Sequence, residues 1–114
     1  MAGVIVLSSV VDATNTDILQ GTRLQTVPAG GFLTFELQGV STDGANFFEI
    51  SIQMPNGDTP LNNVRIPRGA TPYAINNNDK TMITLPIQQG GHTVFSATET
   101  GTDQLTWRVT YTPA

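Results

Sequence analysis

The side chain best suited to move a proton is His92, the single histidine in a 114-residue chain that has no cysteine. Nucleophilic catalysis would need a hydroxyl held beside that base. No Gly-x-Ser-x-Gly elbow occurs, and His92 follows Gly90-Gly91 at the start of a strand pattern, the setting of a solvent-facing turn histidine. Glu36 and Glu49 lie on the polar faces of two strongly alternating runs. Two acids in one cleft could hydrolyse a glycosidic bond. Like charges directly opposite repel, however, and nothing beside this pair would separate their pKa values, so both are expected on a solvated outer face. The oxygen-rich runs DATNTD (12–17) and NNND (76–79) could offer ligands to calcium. Neither has the glycine and distal glutamate of an EF-hand loop, and Asn and Asp favour turns because they bond their own backbone. One histidine and no cysteine exclude the common zinc sets. The glycine pairs 30–31 and 90–91 lack the lysine and helix of a phosphate loop. The expectation is no catalytic residue, no metal and no cofactor.

What remains is surface. Phe47 points away from the row formed by Phe48, Ile50 and Ile52, and Met82 and Val94 are apolar on faces that should be polar. Aromatics and methionine are enriched at subunit interfaces. Arg65 and Arg68 flank Pro67 and could pair with acidic groups of a partner.

These side chains have to be carried by strands. Leu33, Phe35 and Leu37 alternate with Thr34, Glu36 and Gln38 within residues 32–40. Phe48, Ile50, Ile52 and Met54 alternate with Glu49, Ser51 and Gln53 within residues 47–54. Period two means one buried face. The segment 41–46 between them holds Asp43-Gly44, so the two runs are expected to pair as a hairpin. Residues 4–11 form a first strand, apolar on both faces at Val4, Ile5, Val6 and Leu7, as in the middle of a sheet or beneath a partner. A weaker strand is expected over 18–27, with Leu24 and Val27 as its core points. Val64 and Ile66 mark a short strand, and Tyr73 and Ile75 another. Pro60, Pro67 and Pro72 confine that region to edges or loops, and Pro86 puts the end of the 80–87 strand at an edge. Thr93, Phe95 and Ala97 make one further face. Leu105, Trp107, Val109 and Tyr111 make the last, within residues 104–112. About eight strands with a turn every ~8–12 residues predict one all-β domain, an antiparallel β-sandwich. The connection 58–79 suits a jelly-roll crossing, with an immunoglobulin-like sandwich as the alternative.

Composition narrows the function. Charged residues are only 12% of the chain, so its surface must be polar through Thr, Asn, Gln and Ser. A net charge of −4 disfavours nucleic acid as a partner. No apolar run reaches the ~18 residues of a membrane-spanning helix. The N-terminal run lacks a basic region and is short for a signal peptide, which predicts a protein made in the cytoplasm and not exported by that route.

The stretches AGVIVLSSVVDATNTD, GGFLTFELQGVSTDGANFFEISIQMPNGDTP and LTWRVTYTPA resemble the small β-sandwich proteins of virions. These include the decoration (cement) proteins of tailed-phage capsids and single jelly-roll capsid proteins. The likeness is one of texture over the whole chain: cysteine-free, charge-poor and rich in Thr, Asn and Gln. It implies a non-enzymatic capsid decoration or minor capsid protein located in the virion. Its partners would be the coat protein and copies of itself, a trimer first. Contact would run through Val4, Ile5, Val6 and Leu7, added to a neighbour's sheet edge, and through the proline-rich segment 59–72 with Arg65 and Arg68. Phe47 and Tyr73 are the aromatics expected outside the core. The competing reading is a carbohydrate-binding or adhesin-type module, which would need a solvent-facing aromatic platform.

Overall fold

The computed structural model describes residues 3–11, 13–40, 48–66, 81–99 and 104–114. Within them are seven strands: β1 (Ile5–Val11), β2 (Gly31–Val40), β3 (Phe48–Gln53), β4 (Leu61–Ile66), β5 (Thr81–Ile87), β6 (Val94–Glu99) and β7 (Gln104–Pro113). Four form one sheet in the order β1-β7-β2-β5, and three form a second in the order β4-β3-β6. Every pairing is antiparallel. The fold is a β-sandwich, as the alternating runs predict.

Alternation places the core. In the four-stranded sheet, Leu33, Phe35 and Leu37 of β2 stand beside Tyr111, Val109 and Trp107 of β7. Phe48, Ile50 and Ile52 of β3 face them from the other sheet with Phe95 and Ala97 of β6, and all are buried. Phe95 binds the layers edge-on: its ring centroid lies 5.2 Å from Phe35 and 6.0 Å from Trp107. Such pairs add roughly 0.5–1.5 kcal/mol beyond the area they bury.

β7 is hydrogen-bonded between β1 and β2. That is jelly-roll order; an immunoglobulin sandwich would set the first strand beside the second. A full jelly roll has eight strands, and here seven are described. The eighth place, alongside β6, is filled by irregular chain. Asn15 bridges to Ala97 in both directions at 2.9 and 2.8 Å, and the Ile18 amide donates to the Phe95 carbonyl at 2.7 Å.

Three expectations are corrected. Residues 18–27 are not a strand. Leu24 and Val27 are core points, together with Ile18 and Leu19, but the backbone turns on itself. Thr22 donates to the Leu19 carbonyl at 3.1 Å, Gln25 to that of Thr22 at 3.2 Å, and the Gly21 amide to Gln25 Oε1 at 2.8 Å. Gly21 sits at φ 77°, where only glycine rests without strain. Burial without a ladder is what these local bonds permit. Second, β2 and β3 are not a hairpin, because they lie in different sheets. Their apolar rows face each other across the interior, and alternation alone cannot tell that arrangement from lateral pairing. Third, the hairpin is β3–β4, closed at Met54–Asp58, where Gly57 sits at φ 94°. The sheet-to-sheet passage therefore follows β4 and does not take up the whole of 58–79. The expected strand around Tyr73 and Ile75 lies outside the described residues.

Candidate functional site

Successive side chains of a strand point to opposite faces, so the register sorts the expected contact residues. In β1, Ile5 and Leu7 point inward and pack on the core, half-buried. Val4 and Val6 point outward and are 60% and 55% exposed. β1 lies at the border of its sheet and not in its middle. Its two-sided apolar character therefore reflects a core face and an uncovered outer face. Arg65 is exposed on β4, opposite Glu49 in the register. Phe47, Arg68 and Tyr73 lie outside the described residues.

The same outer face carries apolar side chains that the sequence reading did not assign to a site: Val10 on β1 and Phe32, 44% exposed, on β2. Met82, expected to be apolar on a polar face, is 58% exposed on β5. A parity count would have found the first two, since Val10 shares its face with Val4 and Val6, and Phe32 with Thr34. Threonines line the rest, with Thr34 Oγ1 and Thr84 Oγ1 3.1 Å apart across β2 and β5. At the centre, Arg108 of β7 grips the buried Glu36 of β2 with Nε on Oε2 and with Nη2 on Oε1 at 2.8 Å. The hydrogen bond to Glu36 raises the Arg108 pKa further. Glu36 is thus not a solvated acid, and Glu49, in the opposite sheet, is not its neighbour.

The described strands leave four sheet borders, and a bare border invites another strand. On β4 the ladder is broken by a bulge between Ile50 and Ile52. Asn63 sits at φ 52°, held by Ser51 Oγ, which accepts from the Asn63 amide at 2.9 Å and donates to its Oδ1 at 3.2 Å. On β5, Pro86 removes a donor. On β6, residues 15–18 cover the ladder. β1 has none of these devices. Its seven residues, IVLSSVV, run in unbroken register against β7, with no proline, glycine or charge. Its far side makes no backbone hydrogen bond among the described residues.

Two other places could have held chemistry. His92 sits between Gln25 and Asp17: Nδ1 is 2.7 Å from the Gln25 carbonyl and Nε2 is 2.8 Å from Asp17 Oδ2. Both partners only accept, so both ring nitrogens must donate and the imidazolium is the form that fits. The Gln25 carbonyl first, and Asp17 second, raise the His92 pKa. With both nitrogens engaged this histidine ties residues 17–25 to the start of β6, which is more than the bare turn residue expected. At one end of the sandwich a groove of about 680 Å³ is lined by Met54, Pro55, Pro60, Leu85 and Ile87. Among the described residues its one acid is Asp58, whose carboxylate accepts from the Asn56 side-chain amide at 3.1 Å while its backbone amide donates to Asn56 Oδ1 at 3.0 Å. Thr59 supplies a hydroxyl to its wall, and among the described residues no histidine, lysine or cysteine lines it. Among the described residues no three His, Asp or Glu side chains converge as a metal-ion cage would require. What the arrangement offers is a binding surface: an open ladder and an apolar, threonine-lined face around one ion pair. No protein-family model matches the chain, and no match is found among curated proteins.

Proposed function

We propose that this chain is a non-enzymatic structural protein of a virion, a capsid decoration or minor capsid protein that stabilises the shell through subunit contacts. One observation carries the reading: the outer face of the four-stranded sheet exposes Val4, Val6, Val10, Phe32 and Met82 beside an unguarded strand. Clustered exposed apolar surface marks interaction sites; here Val6 and Val10 share the border strand with Val4 just before it, while Phe32 lies beyond Thr112 and Met82 beyond the Arg108–Glu36 pair. Jelly rolls recur in viral capsid and lectin domains, so the fold agrees with the proposal without choosing it. A protein that binds the assembled lattice and not free coat subunits stabilises the shell by mass action, and many identical sites add avidity. The carbohydrate-binding alternative draws no support from the aromatics. Phe35, Phe48, Phe95, Trp107 and Tyr111 are interior, and among the described rings Phe32 alone reaches solvent.

The test is co-sedimentation. The purified protein is mixed with assembled shells, and separately with unassembled subunits, of the coat protein encoded nearest to its gene. Pelleting with shells, and no complex with free subunits, is the expected result. Failure to pellet at concentrations above about 100 µM, where even weak specific contacts would register, overturns the proposal.

A further inference from the structure

We propose that β1 pairs with β1 of a second copy of this chain, antiparallel about a two-fold axis at Ser8, joining two four-stranded sheets into one of eight strands. The inference rests on the strand itself and stands whether or not the partner shell exists.

Three features select a second copy. The first is the choice of borders. A ring of three or more copies built by strand pairing is heterologous, so β1 would have to meet a different open ladder on its neighbour. Among the described strands β4 is bulged at Asn63, β5 carries Pro86, and β6 is covered by residues 15–18. β1 is left to pair with itself, and antiparallel self-pairing is isologous and closes at two copies.

The second feature is register. Centring on Ser8 pairs the whole of β1: Ile5 with Val11 of the other copy, Val6 with Val10, Leu7 with Ser9, and Ser8 with Ser8. Every pair joins residues of like parity, so inward faces meet inward faces. Val6 and Val10, both exposed in one copy, then cover each other on the outer face. Ile5 and Val11, half-buried at the border, meet on the core side. The side chain repeated at the axis is a small hydroxyl.

The third feature is charge. β1 carries none, so nothing in it opposes an identical strand, whereas guarded edges place lysine or an inward charge there.

The absence of cysteine makes the test direct. Across an antiparallel pair, facing Cα atoms lie about 4.5–5.5 Å apart, within the span of a disulfide. Ser8→Cys should therefore form a covalent dimer under mild oxidation, while Thr84→Cys, exposed on the outer face of β5, should not. Sedimentation equilibrium of the unmodified protein should show a monomer–dimer equilibrium. Ser8→Lys, which sets two ammonium groups across the axis, should raise the dissociation constant by roughly tenfold. Ser8→Thr should leave it unchanged, which separates a lost interface from a lost fold. A protein still monomeric at about 1 mM overturns the proposal, as does a trimer without a Ser8→Cys link or equal cross-linking at positions 8 and 84. Because this assay contains no shells, its failure would leave the co-sedimentation result standing, and the reverse.

Discussion

His92 shows how far one side chain can set the pH response of the molecule. Its ring donates from both nitrogens to oxygens that can only accept. Losing one proton leaves a lone pair facing an oxygen. The folded state therefore holds that proton more tightly than the unfolded chain, whose histidine titrates near its ordinary value of about 6.5. The stabilisation is complete below that value and is lost as pH rises through the higher folded pKa. Thermal melts between pH 5 and 9 should show stability falling across that window, on the scale of one hydrogen bond, roughly 1 kcal/mol. His92→Gln should flatten this part of the profile. An unchanged profile in the variant would mean that other groups set the response. Sequence alone placed His92 at a turn before a strand. It could not supply Gln25 and Asp17, because Gln25 reaches the ring through the turns at Leu19–Gln25 and Asp17 from the chain just before them, and no period announces either.

At the scale of elements, legibility divided along the same line. The alternating runs of β2, β3 and β7 were readable because each has one dry face, and Pro86 correctly marked a border. Which strands sit side by side was not readable. β2 and β3 are consecutive and both amphipathic, and lateral pairing and face-to-face packing satisfy the same period. The segment before β2 misled for another reason: Leu24 and Val27 are as buried as strand residues, but the Leu24 amide is met by Thr22 Oγ1 at 3.2 Å and the Val27 carbonyl by the Gly90 amide at 2.9 Å. On the candidate surface, Val4 and Val6 were legible in the two-sided apolar run 4–7, and Val10 and Phe32 follow from counting parity along their strands. Gly31 is a position where the backbone approach is now explicit. A Cβ there would collide with the Thr112 carbonyl oxygen and stand 2.9 Å from Pro113 Cα. Since both are main-chain atoms, no rotamer relieves the clash. Gly31→Ala should cost about 1–3 kcal/mol, read as a lower urea midpoint at unchanged slope.

For the whole molecule, the two layers depend on a few large interior rings. Phe95 reaches from the three-stranded sheet to Phe35 and Trp107 of the other. Phe95→Ala should lower stability by about 3–5 kcal/mol, measured by denaturant unfolding, a large share of what a domain of this size has. A variant within about 1 kcal/mol of the unmodified protein would show that the layers are held elsewhere. The strand order also bears on how the molecule is made. Ile5 and Leu33 both take Tyr111 as neighbour, so the slot between β1 and β2 is filled by a segment translated long after them. Until residue 113 clears the ribosome, two long ladders wait half-formed on the nascent chain. Synthesis at about 5–20 residues per second leaves them bare for several seconds. A stalled or slowed ribosome lengthens that interval, and protection by chaperones during translation matters more for this chain than its modest length suggests.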